Sequence, residues 1–318
     1  MKELNTFQRY FVEEFYEDYR EGLLSRRSFI RRLAFITGSM AATVSVMNLL
    51  GCSSAELPEP TEGVPAAEPA AAQLEPVPGA QSPFSVPEGD PVAEASRITF
   101  TSQGDEITGY LARPVGEGVY PAILVCHENR GLNPHIEDVA RRFAKAGYVA
   151  LALDLLSREG GTAAHDRDEV PGLLSGAPAE RHVGDFAAGL AHLQTLDFVD
   201  GERFGMTGYC FGGGITWRSA VAIPELKAAV PFYGPAPELD QVTNIKAAVL
   251  GVYAEQDERI NASKDALDEA LTAAGITHEM KVYPGVNHAF HNDTGERYVE
   301  EQATQAWQDT LAWFEQYV

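Results

Sequence analysis

From Arg97 onward the hydrophobic and polar positions switch period in regular succession. Arg97–Thr101 and Ile107–Ala112 predict two strands joined as a hairpin across Gln103-Gly104-Asp105, and the apolar run Ala122–Cys126 predicts a buried strand. Ile136, Val139, Ala140 and Phe143 then share one helical face, giving a helix over Pro134–Ala146 that Gly147 closes. Val149–Leu155 is a second buried strand, and Val183, Phe186, Ala187, Leu190 and Leu193 mark the next helix. The alternation continues through strand Phe204–Thr207, a helix from Gly213, and strands Ala228–Phe232 and Ala247–Tyr253. A helix Ser263–Ala274 stops at Gly275, followed by strand Glu279–Tyr283 and a last helix at about Glu296–Tyr317. Alternating elements of this length predict the α/β class: one domain over residues 96–318, a mostly parallel sheet covered by helices on both faces. In such sheets ligands gather at the carboxyl ends of the strands. No internal repeat and no second domain are expected.

The preceding residues follow a different pattern. Ser25-Arg26-Arg27-Ser28-Phe29-Ile30 sets paired arginines before an apolar pair, and an uncharged run from Leu33 to Leu50 ends on Leu49-Leu50-Gly51-Cys52. A positive segment, a modest apolar segment and a small residue before a cut site mark a signal peptide. The arginine pair resembles a twin-arginine signal, and the ending is similar to a bacterial lipobox. Residues 1–51 are then an address, and Cys52 is the lipidated first residue of the mature chain. The alternative is an uncleaved anchor, since the run is near the lower limit for spanning a bilayer. Either places the domain outside the cytoplasm, tethered to a membrane of the cell envelope. Residues 52–95, rich in Pro, Ala and Glu without apolar periodicity, predict a disordered tether.

Charge and cysteine content narrow the function. The 318 residues carry 24 Lys+Arg against 46 Asp+Glu, a net charge of −22, which repels phosphate backbones and argues against nucleic acid as a partner. Three cysteines, Cys52, Cys126 and Cys210, cannot build a disulfide framework, and none has zinc-knuckle spacing. No metal and no organic cofactor are implied.

Gly208-Tyr209-Cys210-Phe211-Gly212 lies between a predicted strand and a predicted helix. It has the form of a nucleophile elbow with cysteine in place of serine. The strained turn demands neighbours almost without side chains, and the helix start favours thiolate. The acid and histidine should follow downstream at strand ends: Asp257, with Glu255 or Glu258 as alternatives, and His288, with His291 and the more distant His127 as rivals. His288 would exchange a proton with the sulfur, and Asp257 would hold the ring's tautomer.

Cys126-His127-Glu128-Asn129-Arg130-Gly131, Gly208-Tyr209-Cys210-Phe211-Gly212-Gly213, Phe232-Tyr233-Gly234, Gln256-Asp257 and His288-Ala289-Phe290 together resemble the dienelactone hydrolase family of the α/β-hydrolase superfamily, over roughly Arg97 to Val318. The resemblance implies a Cys-His-Asp triad, with Glu128 as the glutamate that contacts the resting thiol and takes its proton when substrate arrives. Glu128 could instead be a salt-bridge partner of Arg130. The resemblance further implies an oxyanion hole from the backbone N–H groups of Phe211 and Asn129, and substrate contacts from Tyr233 and Arg130. Family members that take dienelactone hold its carboxylate with arginines, one shortly after the histidine. Here His288-Ala289-Phe290-His291-Asn292 has none, leaving Arg130, Arg158 or Arg181 to compensate. Cys126, on the strand expected beside that of Cys210, is a buried residue or an oxidation partner of Cys210.

The expectation is an exported enzyme that cleaves a small ester or lactone through an acyl-enzyme on Cys210. A broad carboxylesterase is the alternative within the enzyme class. A catalytically idle surface protein that binds a small ligand is the alternative outside it.

Overall fold

The apolar runs assemble into one eight-stranded sheet in this computed structural model, which describes residues 4–38, 43, 46–47 and 74–318. The strands are β1 (Ala93–Ser102), β2 (Asp105–Pro114), β3 (Tyr120–Cys126) and β4 (Val149–Leu153), then β5 (Val199–Tyr209), β6 (Leu226–Phe232), β7 (Ala248–Ala254) and β8 (His278–Tyr283). Their spatial order is β1-β2-β4-β3-β5-β6-β7-β8. β1 and β2 form an antiparallel hairpin in which Ser102 faces Asp105. Its two-residue turn puts Gln103 at φ 52° and Gly104 at φ 91°, the pair of positive angles that matches the twist of the strands. β2 also runs antiparallel to β4, while every pair from β4 to β8 is parallel. Every residue of β4 and β7 is buried, because helices cover both faces.

The α-helices whose bounds lie within the described residues are α1 (Thr6–Arg20), α2 (Arg26–Thr37), α3 (Pro134–Lys145), α4 (Val170–Gly176), α5 (Ala179–Leu193), α6 (Phe211–Ala222), α7 (Glu258–Asn261), α8 (Lys264–Ala273) and α9 (Glu300–Tyr317). Asn133 caps α3 by accepting the Ile136 N–H at 3.1 Å, with Pro134 as the first helical residue. α9 packs on α3 through Trp307, whose ring centroid lies 4.6 Å from that of Phe143. The chain passes from β3 to β4 on one side and then to β5 on the other. The sheet therefore reverses direction of growth at β3, and in sheets of this kind ligands bind outside the carboxyl ends of the strands at that point. The fold is that of an α/β-hydrolase, as the sequence predicts, with longer hairpin strands and a fifth strand that starts at Val199.

Two features lie outside the expected catalytic domain. The described residues fall into two compact units: those up to residue 47 with 163–178, and residues 74–162 with 179–318. The single-domain expectation left residues 4–38 out of the fold, yet α1 and α2 are built helices that group with α4 in the first unit. Asn5 and Gln8 make a capping box on α1, and Phe11 stacks on Phe15 at 5.7 Å. Arg32 reaches Asp168 at 2.8 Å and covers the Phe15 ring. The spacing Phe7, Phe11, Phe15 was the visible sign of such a helix. No helix among the described residues is long and apolar enough to cross a membrane. Cys52, the lipobox and residues 53–73 lie outside the described residues.

The second feature is the later part of the segment expected as a tether. Residues 74–92 belong to the second unit as an irregular strap, with Val77 and Val86 buried. Asp293 accepts the Ser82 N–H at 3.0 Å, and Asp138 accepts the Val86 N–H at 2.6 Å. The Arg141 guanidinium donates to the Val86 carbonyl at 2.6 Å. The strap is ordered by side chains bonding its backbone. That leaves no period in its own sequence.

Candidate active site

Cys210 stands at the turn between β5 and α6 with φ 58° and ψ −121°, a left-handed conformation for a residue that is not glycine. Such strain persists only where the surroundings impose it. Here they do: the Cys210 N–H donates to the Phe232 carbonyl at 3.1 Å, and glycines pack closely around the turn. A Cβ on Gly208 would sit 2.3 Å from the Gly212 carbonyl oxygen, and one on Gly212 would sit 2.4 Å from that of His127. A Cβ on Gly234 would meet the Gly213 backbone at 2.2 Å. The glycines of the elbow are therefore steric requirements, and the second of them presses β3's exit loop against the turn.

Asp257 and His288 leave the carboxyl edge from β7 and β8 and meet. His288 Nδ1 lies 2.6 Å from Asp257 Oδ2, and both side chains are buried. Asp257 also caps α7, its Oδ1 accepting the Ile260 N–H at 3.3 Å. The helix-cap and triad-acid readings of Asp257 are thus compatible, one oxygen serving each. Burial pushes the Asp257 carboxyl up, but the charge and hydrogen bond of His288 outweigh it and leave the group below the usual carboxylate range. A His288 ring nitrogen and the Cys210 Sγ lie within 4.8 Å of each other. Glu255, by contrast, is exposed and accepts the Gly285 N–H at 2.8 Å.

Residues 107–318 match the Dienelactone hydrolase family. The chain belongs to the dienelactone hydrolase family. It is a hydrolase acting on esters. It is similar to the "Putative carboxymethylenebutenolidase" of Salmonella typhi, at 37% identity over 74% of this chain and 92% of that protein. The Escherichia coli K12 protein of the same name is 37% identical over 72% and 89%. Among solved structures, a "Putative Dienelactone Hydrolase" from Klebsiella pneumoniae superposes with a TM-score of 0.66 at 36% identity, covering 71% of this chain and 99% of that one.

Around the centre of this hydrolase, the other candidates fall into place by their partners. Glu128, at the exit of β3, is buried and accepts a hydrogen bond from Asn292 Nδ2 at 2.5 Å. Arg130 is half-buried, and Glu128 is bonded by the Asn292 amide. Asn129 is buried beside Glu128, and Phe211 is the first residue of α6, directly after Cys210. Tyr233, at φ 34°, packs its ring 4.8 Å from that of His288.

His127 is buried, and its Nδ1 lies 2.7 Å from the Glu128 carbonyl oxygen. A carbonyl only accepts, so Nδ1 carries the proton and Nε2 accepts the Leu155 N–H at 3.4 Å. With both nitrogens occupied, His127 braces the loop. His291 stacks on Tyr209 at 5.1 Å, and burial, with Arg142 and His135 nearby, pushes its pKa down to about 3. A ring held neutral in this way is a poor proton carrier, which leaves His288 as the candidate base.

Two of the three arginines expected to compensate are committed. Arg158 pairs with Asp185 at 2.6 Å and with Asp105 at 2.7 Å, and Arg181 pairs with Glu159 at 2.8 Å. Cys126 and Cys210 are both buried and no disulfide joins them, and burial pushes the Cys126 thiol up. Asn292 is a residue that the sequence alone does not single out. Its signal was its place four residues after His288, a position notable there only for lacking an arginine.

Proposed function

We propose that this hydrolase cleaves a small ester or lactone by covalent catalysis on Cys210. Glu128 takes the thiol proton as substrate enters, and the sulfur attacks the carbonyl carbon. The tetrahedral oxygen is met by the backbone N–H groups of Phe211 and Asn129, a contribution worth roughly 10²–10³ in rate per donor. The intermediate collapses to a thioester, and the leaving oxygen recovers the proton from Glu128. His288 then takes a proton from water, the hydroxide attacks the thioester, and the proton returns to the departing sulfur. Asp257 keeps the Nδ1–H tautomer throughout and stabilises the ring when it is charged. The observation that carries this reading is the buried 2.6 Å His288–Asp257 pair behind a cysteine held at φ 58°.

The relatives' name, carboxymethylenebutenolidase, supports a lactone as substrate. Arg158 and Arg181 are committed to ion pairs, so an acidic lactone would have to be held by Arg130, and a general ester is the other substrate this site would take. Hydrolysis of p-nitrophenyl acetate and of a dienelactone by the full chain, beside Cys210→Ala, tests both points. Loss of turnover in the variant supports thiol catalysis, and the ratio of the two substrates decides between lactone and general ester. Turnover that survives Cys210→Ala refutes the mechanism.

Export belongs to the same proposal and rests on Arg26-Arg27 and Leu49-Leu50-Gly51-Cys52. Incorporation of a labelled fatty acid that disappears in Cys52→Ser supports lipid anchoring. An unlabelled protein in the cytoplasmic fraction refutes it.

A further inference from the structure

The loop that leaves β8 carries two polar side chains toward the centre. His288 is the first. Four residues later Asn292 donates from Nδ2 to Glu128 Oε2 at 2.5 Å. The amide can face only one way, because its Oδ1 accepts the Thr294 N–H at 3.0 Å and the Thr294 hydroxyl at 2.8 Å. A backbone N–H is always a donor, so the oxygen must point to Thr294 and the NH2 group to the carboxylate.

The backbone between the two residues is tightly wound. Ala289 takes φ 65°, the Asn292 N–H donates to the Ala289 carbonyl at 3.0 Å, and the Gly295 N–H donates to the Asn292 carbonyl at 3.0 Å. Behind it, buried Asp293 is gripped by Arg142 at 2.8 Å, His135 at 3.0 Å and the Ser82 N–H at 3.0 Å. Asn292 is therefore held at both ends of its amide and through its backbone.

We propose that Asn292 is a positioning residue, which holds the Glu128 carboxylate where it takes the Cys210 proton, from the same loop that carries His288. This rests on the hydrolytic reading above. The chemistry favours an amide at this place. A cation there would compensate the carboxylate charge and weaken its hold on a proton, while a second carboxylate would repel it. A neutral donor fixes the oxygen's direction and leaves its charge to act on the thiol.

The test is a double-mutant cycle on the full chain: wild type, Asn292→Ala, Glu128→Gln and the double variant. Each is assayed for kcat and KM on p-nitrophenyl acetate, and for the rate at which iodoacetamide labels Cys210. A hydrogen bond to a charged group predicts that Asn292→Ala lowers kcat about ten- to hundredfold, with KM changed less than about threefold. In the Glu128→Gln background, the same change should alter kcat less than about threefold. Equal losses in both backgrounds overturn the proposal.

Should Asn292→Ala not fold, the isosteric Asn292→Asp runs the same cycle. It is expected to be damaging beside the native Glu128 carboxylate and mild in the Glu128→Gln background, where the facing group is a neutral amide. Equal damage in both overturns the proposal. Labelling needs no substrate, so it separates the two readings. Non-additive labelling without turnover in the wild type would remove the hydrolysis and keep the Asn292–Glu128 coupling. Turnover with additive effects in both assays would do the reverse.

Discussion

Arg142 is 4% exposed and bridges two buried carboxylates, Asp138 at 2.5 Å and Asp293 at 2.8 Å. Replacing it with Met keeps much of the packing volume and removes the charge. At an effective dielectric of 20, one such pair at this separation is worth about 6 kcal/mol of attraction. Desolvation of the arginine offsets a share of that, so the net loss should be about 3–5 kcal/mol, the usual range for stranding a buried partner. Urea unfolding followed by tryptophan fluorescence reads the relevant unit alone, because Trp217, Trp307 and Trp313 are all the tryptophans and all lie in it. At about 2–4 °C per kcal/mol, the melting midpoint should fall by about 6–20 °C.

The pH dependence follows from the carboxylates. Burial pushes Asp293 up, but His135 and Arg142 outweigh it and hold the group well below the usual carboxylate range. Its contribution is therefore fully present above the unfolded pKa of about 3.9 and is lost as pH falls through the lower folded value. Without Arg142 the Asp293 carboxyl takes up a proton more readily, so the variant recovers stability on acidification. The gap between wild type and variant should narrow from about pH 7 to about pH 5. A loss below about 1 kcal/mol at neutral pH, or a gap that widens on acidification, refutes the reasoning.

Two other predictions concern the centre. Gly212→Ala sets a Cβ 2.4 Å from the His127 carbonyl oxygen and 2.5 Å from that of Cys126, so β3's exit loop or the elbow must move. Turnover of p-nitrophenyl acetate should fall about 100-fold, the usual consequence of a displacement near about 1 Å, and a variant with wild-type kcat would contradict the packing described. Asp257→Asn keeps an oxygen for the Ile260 N–H but loses the anionic acceptor for His288 Nδ1. It should cut kcat by about 10³–10⁴ while changing stability by less than about 1 kcal/mol. A variant within about tenfold of wild type would remove Asp257 from the proposed triad.

The period of the hydrophobic positions was enough to order the strands and helices of the second unit. Each run there is buried by its neighbours in the sheet, so burial writes itself into composition. The elbow was equally visible, because close backbone approach leaves glycines at Gly208 and Gly212 as its trace. Asp257 and His288 could be named from chain order and strand ends, since the fold brings successive strand exits to one edge.

Other features depended on the tertiary structure. The strap at residues 74–92 is ordered by Asp138, Asp293 and Arg141, partners its own composition cannot reveal. His127, His288 and His291 have identical chemistry, and only their hydrogen bonds and burial tell them apart. Asn292 gained its place only through a contact with Glu128, 164 residues away in sequence. Local spacing records which face of an element is buried. Which polar group meets which is decided when distant loops converge, and no local pattern carries that information.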